Sequence, residues 1–84
     1  MNHHATSRLW ACYEKLPAAV RGLADANFAL LKENPRHPSL HLKKTNQVWS
    51  VRAGRKYRAL AIENDAALIW FWIGTHADYD KLTS

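Results

Sequence analysis

At Pro38 the hydrophobic period of this 84-residue chain changes, and that change restricts its architecture more than any other feature. Before it, apolar side chains recur every three or four residues; after it they alternate or run continuously. The first pattern buries one stripe of a helix and the second buries one or both faces of a strand. Leu9, Trp10, Tyr13 and Leu16 mark a short amphipathic helix, with Ser7 as one available cap. Ser7 to Ala11 is also compatible with a short strand. Pro17 stands at a first-turn position that needs no N–H donor. Val20, Leu23, Ala24, Asn27, Phe28, Leu30 and Leu31 then form the stripe of a second helix up to Lys32. Asn34-Pro35 closes that helix, because the residue before a proline avoids the helical region.

Beyond Pro38, Leu40 to Lys44 alternates and Gln47 to Ala53 follows, with Gly54-Arg55 as a turn. Lys56 to Glu63 is a further strand and Asn64-Asp65 a further turn. Ala66 to Ile73 is a continuous, aromatic-rich apolar run. Such a run suits a central strand or a buried helix, and the surrounding turn signals and β-formers favour the strand. Trp70 and Trp72 within it are candidates for core or for stacking on a base, core being commoner. The expectation is an α+β fold: an N-terminal helical hairpin packed on one face of a three- to four-stranded antiparallel sheet, with the other face left open.

Size agrees with this scheme. Residues 1–84 are expected to form a single domain, for which one sheet and a pair of helices are about the limit. The single cysteine, Cys12, excludes an internal disulfide and any cysteine-based metal cluster. Neither a secretory leader nor a membrane span is legible, the longest apolar run being far short of the roughly 20 residues a span needs. A cytoplasmic protein is expected.

Charge is distributed unevenly. The net charge is +5, and seven of the twelve Lys and Arg residues lie between Asn34 and Ile62, where there is no Asp or Glu. From Glu63 onward one Lys faces four acids. A cationic segment interleaved with Trp49 and Tyr57 suits a nucleic acid, whose phosphates it would neutralise and whose bases it would stack. It equally suits a solvated strand edge whose lysines block aggregation.

Arg52 and Arg58 fall in the middle of strands, where a guanidinium is costly to bury without an anion, either a carboxylate or a phosphate. His76 follows Gly74 at the end of the apolar strand; it is either a proton carrier near neutral pH or an ordinary surface residue beside Asp78. Tyr79 is open to a similar choice, since an aromatic near a chain end often only docks it. No metal site is expected. His37 and His41 are separated by Pro38, no acid or Cys lies near them, and His3 and His4 resemble the residues of an unstructured N-terminus. Nor is there a Gly-rich phosphate loop or nucleophile elbow.

Four blocks, His37 to Lys44, Val48 to Arg52, Arg55 to Leu60 and Trp72 to Tyr79, have an order and spacing that resemble the RelE/ParE toxin superfamily, and within it the RelE/HigB-like toxins of type II toxin–antitoxin modules. The resemblance implies a metal-independent, cofactor-free endoribonuclease acting on messenger RNA in the ribosome, through attack of a 2′-hydroxyl on the adjacent phosphate. It implies Arg58 as the stabiliser of developing charge, His76 as general acid and Tyr79 as the residue that stacks on or orients the substrate. Lys43, Lys44, Arg52 and Arg55 would be the RNA-binding cations. A small antitoxin is implied as partner. The pattern departs from the family in two places: there is no acid in the second strand to serve as general base, and no clear N-terminal strand. The alternatives are a gyrase-inhibiting member of the same fold and a basic module that binds an acidic peptide.

Overall fold

The computed structural model describes residues 2–45 and 47–83. Five strands form one sheet in the order β1-β5-β4-β3-β2: β1 (Asn2–Ala5), β2 (Lys43–Thr45), β3 (Val48–Arg52), β4 (Tyr57–Asn64) and β5 (Ala67–Thr75). β2 to β5 form an antiparallel meander, while β1 pairs parallel to β5 at the opposite edge. The helices are α1 (Ser7–Glu14), α2 (Ala18–Glu33) and α3 (His76–Thr83), and a single 3-10 turn spans Pro38–Leu40. Among the described residues, no helix is long and apolar enough to cross a membrane.

The helical hairpin and meander follow the sequence pattern, with differences in detail. Thr6 rather than Ser7 caps α1: its hydroxyl accepts the Leu9 N–H at 3.1 Å and its own N–H donates to the Trp70 carbonyl at 3.0 Å. One residue thus starts the helix and ties it to β5. Pro17 directly precedes α2, and Asn34 ends it. Leu31 is fully buried against the sheet, but Leu23 and Phe28 from the same expected stripe are exposed.

The alternation from Leu40 to Lys44 does not form one strand. His37 caps the 3-10 turn through its Nδ1, which accepts the Ser39 N–H, and Pro38 supplies the first-turn φ. That turn drives Leu40 to complete burial, and His41 ends it in the left-handed region (φ 46°). Only Lys43–Thr45 then remains to pair with β3. The two other turns lie where expected, with Gly54 (φ 76°) in one and Asp65 (φ 55°) in the other.

Three elements differ from the expectation more substantially. His3 and His4 lie in β1, a fifth strand whose pairing comes from the edge of β5 rather than from its own β-propensity. The segment after Thr75 forms α3, which meets β4 and β5. β5 also carries a register shift. Leu60 pairs with Trp72 and Ala61 with Trp70, so Phe71 is an extra residue. Without the shift, Trp70 and Trp72 would share a face. With it, Trp70 joins Val51, Ala59, Ala61, Leu68 and Ile73 in the core beneath α1 and α2, while Trp72 lies on the opposite face beside Leu60.

Candidate functional site

Strand register builds a polar floor on the face away from α1 and α2. One cross-strand row reads Lys43, Ser50, Leu60, Trp72; the next reads Arg52, Arg58, Gly74. Arg52 and Arg58 are therefore directly opposite one another. Like charges in that relation repel across a sheet, so the pair is a local liability unless an anion lies between or above it. No Asp or Glu occurs on β2, on β3 or in β4 before Glu63 to fill that role.

Burial sharpens the point. Arg58 is 7% exposed, and its Nε and Nη1 have no hydrogen-bond partner; nor does Oγ of the buried Ser50. Each unsatisfied buried donor costs on the order of 1–3 kcal/mol, more when charged. Gly74 contributes by what it lacks, since a Cβ there would come within 2.5 Å of the Trp72 indole. A larger residue would push that ring out of the row next to Arg58.

α3 closes the end of this floor. The Thr75 hydroxyl accepts the Asp78 N–H at 3.1 Å and caps the helix, and the His76 N–H donates to the Lys56 carbonyl at 2.7 Å. The first turns of α3 then bring Tyr79 over Arg58, with the guanidinium carbon 5.3 Å from the ring centre. His76 and Tyr79 meet edge to face at 5.6 Å between centroids. Arg58, Tyr79 and His76 are thus contiguous, although they are up to 21 positions apart in the chain. His76 Nδ1 lies 3.2 Å from Asp80 Oδ2, both side chains being exposed. Its neighbour is therefore Asp80, four residues on in α3, rather than Asp78. The i, i+4 spacing was visible in the sequence, but without a helix at that position it had no meaning.

The remaining expected cations divide by location. Lys43 shares the face of Ser50, and Arg52 is half-buried at the centre of the floor. Arg55 is exposed in the turn between β3 and β4. Lys44 is opposite Trp49, on the other side of the sheet from the two arginines. Its Nζ lies 3.6 Å from Glu63 Oε1 and 5.6 Å from the Trp49 ring centre. Glu63 also accepts the Trp49 indole N–H at 2.8 Å, and that bond, with Lys44 adding to it, holds its pKa below the usual carboxylate value. Ser50 is the site residue that sequence reasoning missed; a small polar residue in a strand carries no signal until its burial is known. Among the described residues, no group of three or more His, Cys, Asp or Glu side chains is placed to hold a metal ion.

Chemically, the arrangement has the groups to accept an anion, with two guanidinium groups and a hydroxyl at its floor, an aromatic ring above and an imidazole at its rim. Several solved structures share the fold while being distant in sequence. The YoeB/ParE toxin from Agrobacterium tumefaciens is 16% identical with a TM-score of 0.69, over 90% of this chain and 99% of that one. The RelB-RelE antitoxin-toxin complex from Methanococcus jannaschii gives 12% identity and a TM-score of 0.74, over 96% and 99%. The isolated E. coli RelE toxin gives 15% and 0.63, over 98% and 95%. None of the curated proteins matches the chain closely in sequence. The ParE-like toxin domain family matches residues 20–81, most of the length that carries the sheet and α3. The chain belongs to that family, within the RelE/ParE toxin superfamily.

Proposed function

We propose that this toxin domain is a metal-independent endoribonuclease that cuts messenger RNA on the ribosome and is held inactive by a cognate antitoxin. The observation that carries the reading is Arg58: a buried guanidinium with Nε and Nη1 unbonded, opposite Arg52 and beneath Tyr79. A phosphodiester in the scissile position would meet both needs at once, satisfying the donors and neutralising the repelling pair.

In this reading the 2′-hydroxyl gives up its proton to solvent water and its oxygen attacks the adjacent phosphorus; the 2′-O–P bond forms and the P–O5′ bond breaks, leaving a 2′,3′-cyclic phosphate and a 5′-hydroxyl. Arg58 and Arg52 stabilise the added charge on the phosphoryl oxygens. With Nδ1 turned to Asp80, His76 has Nε2 to face the substrate and delivers a proton to the departing 5′-oxygen. Tyr79 orients the nucleotide against Arg58. Lys43, in the same row as Ser50, and Arg55 hold flanking phosphates, whereas Lys44 on the far side serves the RNA path less directly. The antitoxin reading is supported by the family and by the antitoxin-bound state of the M. jannaschii relative.

No carboxylate of β2, β3 or β4 lies on this face, Glu63 being turned to the other, and that favours one second reading, a toxin of this fold that does not cleave RNA. Induced expression in a bacterial host, with messenger RNA integrity followed over minutes, separates the two. Rapid RNA loss that is abolished by His76→Ala is the expected result. Intact RNA together with a DNA-damage response would replace the nuclease reading with gyrase inhibition.

A further inference from the structure

Beyond the end of α2, on the opposite side of the sheet from Arg58, a second cleft of about 620 Å³ opens between α2, residues 34–42, β1 and Trp49. Its ionisable lining consists of Lys32, Arg36, His3, His37 and His41, with no Asp or Glu. A cleft of that size lies within the roughly 300–1,000 Å³ typical of small-molecule sites.

Two of the histidines have their tautomers set by the fold. His3 Nδ1 accepts the indole N–H of the buried Trp70 at 3.1 Å, and burial, reinforced by nearby positive charge, holds its pKa below the ordinary histidine value. His37 Nδ1 accepts the Ser39 backbone N–H at 3.2 Å. A neutral imidazole that accepts at Nδ1 carries its proton on Nε2. Binding a metal through Nε2 would require the reverse, with Nδ1 protonated and donating to an outer partner. These rings therefore act as N–H donors rather than metal ligands, alongside an ammonium and a guanidinium. The cleft is a donor set for an anion, and Trp49, Leu42 and Leu68 give it an apolar wall.

We propose that this cleft binds the phosphate monoester of a nucleotide, the phosphate held by Lys32, Arg36 and the Nε2–H groups of His3 and His37, and the base set against Trp49 and Leu42. A phosphate monoester fits better than a carboxylate because it brings close to two negative charges and three acceptor oxygens to an array of several donors. Aromatic stacking accepts any base, so the site reads the phosphate more than the sequence. The same chemistry is offered by a free mononucleotide and by the phosphorylated end of an RNA strand. The site stands apart from the proposed nuclease centre and does not depend on it.

Isothermal titration of the full chain with adenosine 5′-monophosphate tests the assignment. Saturable binding is expected, weakened at least tenfold in each of the variants Arg36→Ala and Lys32→Ala and unchanged in Arg58→Leu. Both replaced side chains are exposed, so the core is left as it is. Adenosine or inorganic phosphate binding as tightly as the nucleotide would overturn the proposal, as would no saturable binding at all. Loss of binding in Arg58→Leu but not in the other two would place the nucleotide on the wrong face and also overturn it. A short 2′-O-methyl RNA, with and without a 5′-phosphate, then identifies the source. Tighter binding of the phosphorylated strand supports an RNA end, and equal binding of the two strands supports a free nucleotide.

Discussion

The two faces of β4 are made by the same eight residues and follow opposite rules. Toward α1 and α2 it presents Ala59 and Ala61, both buried among Val51, Trp70 and Ile73, with no polar atom to satisfy. Toward α3 it presents Arg58 and Leu60, equally buried, but beside an unbonded Ser50 hydroxyl and opposite a second arginine. One face is arranged for stability. The other retains uncompensated charge that folding alone would not favour, which is how a binding surface differs from a core.

The contrast is open to direct tests. The largest effect is expected on the covered face. Trp70→Ala removes a large side chain that fills the core and leaves His3 without its donor, and should cost about 3–5 kcal/mol in denaturant unfolding. On the other face, Arg58→Leu should lower RNA cleavage by about 100-fold or more. Its unfolding midpoint should stay the same or rise, because two unsatisfied buried donors are removed. A large loss of stability in that variant would make Arg58 part of the core and erase the distinction between the faces.

Thr6→Ala should cost about 1 kcal/mol, the usual value of an N-cap, seen as a lower melting temperature with cleavage retained. The smallest effect concerns His3. Its folded pKa lies below 6.5, so the unfolded chain takes up the proton first. The stability it supports is present above about pH 6.5 and is lost as pH falls through that value toward the folded pKa. Because the ring is only partly buried, the change should be small. Unfolding followed between pH 7.5 and 5 should show that slope in the native chain and a flatter one in His3→Phe.

Much of the fold was legible because local rules agreed with one another. The stripe ending at Asn34-Pro35 formed α2, Gly54 and Asp65 turned the meander, and the apolar run became β5. β1 was not legible, because Asn2 to Ala5 has little strand character and is extended only by pairing with the edge of β5. α3 escaped for a related reason: it is short, mostly polar, and held by a cap and by contacts with a strand formed from residues well before it. Among the candidate site residues, Arg58, His76 and Tyr79 were chosen for their chemical types and family register, and the structure brings them together. Lys44 was chosen in the same way, yet alternation along β2 turns it to the other face.

By itself, the sequence determined the helical hairpin, the strands and turns that follow it from β3 to β5 and which third of the chain is basic, because these depend on local periodicity and on residues with restricted backbones. Only the tertiary structure decided which side chains share a face. A single extra residue at Phe71 sends Trp70 to the core and Trp72 to the other side, and cross-strand pairing places Arg52 opposite Arg58. Strand register is a long-range property, set by how two faces bury their surfaces against separate helices, and no local window of the chain contains that information.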